Sequence, residues 1–229
     1  MSDDNPFGID PDSRDLWWRS QTGLGELLEL LDLDEYGRKV RLFLVACARR
    51  VEHLMPGPHC RAAVRVSEEY AEGQRDAAAV AEAAWNAAGE LPPEGSNRGA
   101  SAARGAAWAL VARPQLTLHE RAAWVLREAA LAIERVGVPG PEPKAQTAIL
   151  RCVFGNPFRT VAFDPSWRTS TVEQLSHTMY GSRDFGGMPV LADALQEAGC
   201  DNDDILSHCR GDGPHVRGCW VVDLVLGKE

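Results

Sequence analysis

Between Cys200 and Cys219 the chain concentrates three of its six cysteines and two of its six histidines. His215 and Cys219 stand four residues apart, a spacing that puts both side chains on one helical face where they can share an ion. Cys200 and Cys209 complete a tetrahedral set of thiolates and imidazole of the kind zinc prefers, with His208 as a substitute ligand. Against this stands the spacing, because zinc modules usually offer a tight Cys-x2-4-Cys knuckle and here eight residues separate the first pair. The competing reading makes Cys200 and Cys209 small buried hydrophobes, sets His208 at a helix end and packs Cys219 with Trp220 in the core. From sequence that structural reading is preferred, and zinc held by Cys200, Cys209, His215 and Cys219 is its alternative.

Other chemistry in the same segment is weaker. Asp201-Asn202-Asp203-Asp204 opens like a calcium loop, but Leu206 stands where that loop needs glycine and Asp212 where it needs a bidentate glutamate. Asp or Asn ahead of Ile205 reads better as a helix N-cap. Thiol catalysis needs a base beside the sulfur, and the neighbours His59-Cys60 and His208-Cys209 point in different directions on a helix. A pair formed by His215 and Cys209 across the Gly211–Pro214 turn is sterically allowed. There is no P-loop, dinucleotide fingerprint, nucleophile elbow or zincin helix. Asn156, Arg159 and Trp167, in an irregular stretch, could border a cleft between two parts of the chain; the plainer reading is a long connection pinned by proline and aromatics.

The elements that must position these residues read as helices throughout, with no sustained two-residue alternation. The expected fold is an all-α multi-helix bundle, with two packed helical lobes and an irregular connecting loop. A flexible terminus over 1–12 precedes an N-terminal lobe over 13–136 and a C-terminal lobe over 144–229, divided at Gly137-Val138-Pro139-Gly140-Pro141-Glu142-Pro143. The spacing predicts a helix holding Trp17 and Trp18, a leucine-rich segment over 23–31, and a long helix over 34–55 stopped by Pro56-Gly57-Pro58. Helices over 60–72, 75–88, 100–111 and 117–136 follow, the last opened by a Thr117/Glu120 capping box. The C-terminal helices are expected over 144–154, 170–180 with a Ser170/Glu173 box, from Pro189 to Gly199, over 203–209 and over 217–226. Ala-Ala-Trp recurs at 83–85, 106–108 and 122–124, suggesting helices whose backbones approach at alanine while the indole fills the gap beyond; the unequal spacings fit no standard repeat.

With 24 Lys and Arg against 33 Asp and Glu, the net charge of −9 argues against general attraction to nucleic acid or anionic membrane. No apolar run reaches the roughly 20 residues of a bilayer span. The acidic start resembles neither a secretory signal nor a transit peptide, and the sparse cysteines suggest reduced thiols, so the expected location is cytoplasmic. Arg49, Arg50, His53 and Arg61 read as a solvated helix face. The last segment, Cys-Trp-Val-Val-Asp-Leu-Val-Leu, is too apolar to be a DNA-reading helix.

Arg41-Leu42-Phe43, Ala46-Cys47-Ala48-Arg49-Arg50, Phe154-Gly155-Asn156-Pro157-Phe158-Arg159, Leu191-Ala192-Asp193-Ala194-Leu195 with Ala198-Gly199-Cys200, His208-Cys209-Arg210, and His215-Val216-Arg217-Gly218-Cys219-Trp220-Val221-Val222-Asp223 occur together. That combination resembles an uncharacterised family of bacterial proteins present in many paralogous copies in some large genomes. The resemblance covers 36–70 and everything from Lys144 onward, and implies no activity. The expected function is a non-enzymatic helical interaction or regulatory module whose partner is another protein. The rival is a zinc or thiol protein using the C-terminal cluster.

Overall fold

The computed structural model describes residues 15, 18, 23–29, 31, 33, 36–92, 98–111, 117–137, 142–159 and 161–228. Among them are eleven α-helices and no strand, as the periodicity predicts. They are α1 (Leu24–Glu29), α2 (Gly37–Arg49), α3 (Pro58–Ala71), α4 (Ala77–Gly89), α5 (Arg98–Val111), α6 (Leu118–Arg135), α7 (Glu142–Phe154), α8 (Ser170–Ser182), α9 (Met188–Glu197), α10 (Asp203–Arg210) and α11 (Trp220–Leu226). None is long and apolar enough to cross a membrane. The segment 1–12, Trp17 and most of the 137–143 boundary lie outside the described residues; Asp15 and Trp18 are helical.

The chain divides into two compact units, Asp32–Gln146, and Met1–Leu31 with Thr147–Glu229. The division falls inside α7.

The Asp32–Gln146 unit is built on α2, whose Val40, Leu42, Phe43, Leu44 and Cys47 are buried. The helix is shorter than the apolar stripe suggests. It ends at Arg49, and the stripe continues through a 3-10 turn, Glu52–Leu54, flanked by buried Val51 and Met55. The cations of its polar face are paired: Arg49 with Glu68 at 3.1 Å and Glu52 at 3.0 Å, Arg38 with Glu72 at 3.0 Å, and Arg50 with buried Glu142 at 2.9 Å. Arg121 and Arg41 donate to the Leu110 carbonyl at the end of α5, meeting acceptors that a helix C-terminus leaves open. The Thr117/Glu120 capping box of α6 forms as read. The Ala-Ala-Trp sites differ from expectation: Ala83, Ala106, Ala107 and Ala122 are buried, but Trp85 is 83% exposed and Trp124 44%. The alanines make the helix contacts and these two indoles turn outward.

Helix α3 opens Gly57-Pro58, and neither residue offers a capping side chain. Glu90, just past α4, does so instead, its carboxylate accepting from the amides of His59 (3.2 Å) and Cys60 (2.7 Å). Burial pushes the Glu90 carboxyl up, but those amide bonds outweigh it and hold it below its ordinary value. A depressed carboxylate stabilises the fold above its unfolded pKa and loses that contribution as pH falls towards its folded value. Glu90→Gln is therefore expected to lower stability by about 0.5–2 kcal/mol near neutral pH. The difference from the parent should shrink below about pH 4, as paired urea melts would show.

The core of the second unit is formed by residues 152–225, among them Val172, Met188, Leu191, Leu195, Ile205, Val221 and Val222. Guanidinium groups close its helix ends: Arg217 donates to the Tyr180 carbonyl at the end of α8, and Arg168 to Leu224 and Val225 at the end of α11. Thr169, one residue before the Ser170 expected from sequence, caps α8 by accepting from the Val172 amide. Asn202 caps α10, accepting from Asp204 and Ile205 at 3.1 Å each; this is the capping role preferred over calcium binding.

Candidate metal centre

Four elements of the second unit deliver four donor side chains to one place. Cys152 lies in the last turn of α7, His208 in the last turn of α10, His215 follows the Gly211–Pro214 turn, and Cys219 immediately precedes α11. One donor atom from each lies within 4.8 Å of all the others. His208 Nε2 is 3.2 Å from Cys219 Sγ, and His215 Nδ1 is 3.9 Å from Cys152 Sγ. The two imidazoles meet edge to face at 4.8 Å, and Trp220 leans on His208 at 5.3 Å.

Of the residues read from sequence, His215 and Cys219 come together and His208 joins them, but not on the helical face that the spacing predicts: α11 begins at Trp220, three residues later than expected, and both residues lie ahead of it. Cys200 and Cys209 do not. Helix α9 closes in a Schellman arrangement, with the Gly199 amide (φ 93) on the Gln196 carbonyl and the Cys200 amide on the Leu195 carbonyl, both at 3.0 Å. Cys200 thus occupies the position whose side chain packs back on the helix, and it is 2% exposed in the core. Cys209 follows His208, and about 100° of helical turn separates the two side chains. One reaches the cluster, while the other is fully buried among apolar residues, where burial pushes its thiol well up. Cys152 was missed because it comes from a helix 63 residues before His215, beyond any local spacing rule.

The local chain is shaped for this meeting. Gly213 has φ 73, and a Cβ there would lie 3.0 Å from the His215 amide nitrogen. Gly155, which ends the helix carrying Cys152, has φ 62, and a Cβ there would lie 3.1 Å from the Trp220 ring. Gly155→Ala is therefore expected to destabilise the unit by about 1–2 kcal/mol from the left-handed backbone alone, read by denaturant unfolding.

The electrostatics single out one sulfur. Burial pushes the Cys219 thiol up, but hydrogen bonds from Cys152, His208 and His215 prevail and hold it well below its ordinary value. The Cys152 thiol is driven well above its own, first by donating to Cys219, then by burial. For His215, burial pushes the imidazole down, but its bond to Cys219, the charge there and the Gly211 carbonyl raise it overall. The Gly211 carbonyl, 3.3 Å from Nε2, can only accept, so Nε2 donates to it, and Nδ1 is the nitrogen that faces the sulfurs and offers a lone pair once it gives up its proton to bind an ion.

This geometry fits a tetrahedral ion. Zinc–sulfur bonds of about 2.3 Å and zinc–nitrogen bonds of about 2.0–2.1 Å imply donor–donor edges of roughly 3.3–3.8 Å. The 3.2 and 3.9 Å sulfur–nitrogen separations fall just outside either end of that range, and the full set, within 4.8 Å, has to draw in further around an ion. Two thiolates and two neutral imidazoles balance a divalent charge, so the ion can be buried without an unpaired charge. The His215–Gly211 bond supplies the backbone contact that commonly orients a metal-bound imidazole.

Asn156, Arg159 and Trp167 each have partners within their own unit. Asn156 donates to Asp15 and accepts from the Phe158 amide, Arg159 pairs with Asp204 at 3.1 Å, and Trp167 stands edge-on to Phe163 at 5.4 Å. No family model, curated protein or solved structure matches the chain.

Proposed function

We propose that this is a non-enzymatic helical module held together by one structural zinc ion bound to Cys152, His208, His215 and Cys219. The observation that carries the reading is the convergence of two cysteine sulfurs and two imidazole nitrogens within 4.8 Å. Four protein donors saturate tetrahedral zinc and leave no open position for substrate, which favours a structural over a catalytic ion. Such an ion ties the end of α7 to the 208–219 segment, nine of whose twelve residues lie outside helices. Interaction with another protein is the role that fits a module whose metal site has no open position for substrate.

Cobalt(II) titration of the metal-free chain tests the site. Tetrahedral cobalt with two thiolates should give intense visible bands and thiolate charge-transfer absorption, saturating at one equivalent and displaced by zinc. The weak spectrum of an octahedral aqueous ion would count against the reading.

A further inference from the structure

Resting on that zinc reading, we propose that Cys152 and Cys219 are an oxidisable dithiol: a hydroperoxide converts the pair to a disulfide and expels the ion. All six cysteines are reduced and buried, but only this pair shares a cluster with two metal-ligating imidazoles. Their sulfurs lie within 4.8 Å of each other, in reach of one another once nothing stands between them. Across a tetrahedral zinc two sulfurs are held about 3.8 Å apart, whereas a disulfide needs about 2.05 Å. The bonded pair also loses both negative charges that hold the ion. Metal and disulfide therefore exclude each other at this site, and oxidation reads out as zinc release.

The chemistry balances with a hydroperoxide as the two-electron oxidant. One thiolate attacks the O–O bond, forming a sulfenic acid and releasing an alkoxide or hydroxide that takes up a proton. The second thiolate attacks the sulfenic sulfur, the S–S bond forms, and hydroxide leaves to become water with a second proton. Two zinc-bound thiolates with their ion, one hydroperoxide and two protons give one disulfide, one alcohol or water, a further water and the free zinc ion. Access for a small oxidant lies past His208 and His215, which are half-buried while both sulfurs are covered. A second thiolate close at hand captures the sulfenic acid before it oxidises further.

The test uses the full chain, reduced and zinc-loaded, treated with excess hydrogen peroxide. Released zinc is followed with a chromogenic chelator and the linkage is found by peptide mass spectrometry without reduction. The expected result is one zinc released per Cys152–Cys219 disulfide, with both changes reversed by dithiothreitol and added zinc. The Cys200→Ala/Cys209→Ala chain, which keeps all four ligands, should release zinc as the parent does. Zinc retained through the treatment overturns the switch alone, as does release accompanied by sulfinic acid or by a link from Cys219 to Cys209. A chain that holds no zinc before peroxide is added overturns the metal reading, and the switch with it.

Discussion

Changing Cys219 to alanine is expected to abolish zinc binding and with it the cooperative folding of the unit that contains the site. The sulfur is the meeting point of the cluster, bonded to Cys152 and to both imidazoles, so its loss removes a ligand and the charge that orients the others. Structural zinc contributes on the order of 10–16 kcal/mol of apparent binding free energy in small zinc domains. A whole domain is stable by only about 5–15 kcal/mol. Cys152→Ala should behave like Cys219→Ala, despite its distance in sequence. Cys209→Ala should keep a full equivalent of zinc. Zinc analysis with circular dichroism on the three variants separates the observed cluster from the set that spacing alone suggested. Zinc lost from Cys209→Ala and kept by Cys152→Ala would reverse the assignment.

Phe43→Ala is expected to destabilise the Asp32–Gln146 unit by about 3–5 kcal/mol, the usual cost of emptying an aromatic site in a close-packed core. Phe43 is fully buried on α2, among the largest side chains in the molecule with no exposure. Its loss removes apolar burial and leaves a void that a close-packed core fills only in part. All four candidate ligands lie outside that unit, so zinc content should stay at one equivalent. Denaturant unfolding and metal analysis of the same sample report both quantities.

Much of the fold was legible because helices announce themselves locally. Proline, glycine and capping residues mark ends that the backbone obeys, as at Thr117 and Asn202. Where the reading slipped, a long-range effect had taken over. The stripe stays buried at Val40, Phe43, Leu44, Cys47, Val51 and Met55 although the helix ends at Arg49, because a 3-10 turn keeps the last two inside. The Ala-Trp pattern carried the contacts in its alanines, and sequence alone could not say on which side Trp85 would fall.

The site was half legible for the same reason. His215 and Cys219 are close in sequence, so their meeting is local, although both lie ahead of α11 and not on the helical face that their spacing predicts. The spacing puts Cys209 ahead of His208, its substitute, but helical rotation sends neighbours to different surroundings, and it is His208 that reaches the cluster. Cys200 belonged to a helix terminus, whose glycine and amide bonds fix its side chain on the core. Cys152 is brought in by tertiary packing of α7, which no spacing rule encodes.

Zinc content of the full chain, purified without added metal and measured by inductively coupled plasma mass spectrometry, tests the central claim most directly. The account predicts close to one equivalent per chain, lost on Cys219→Ala. Less than about a tenth of an equivalent, in a folded chain, would contradict it given the tight binding of structural sites.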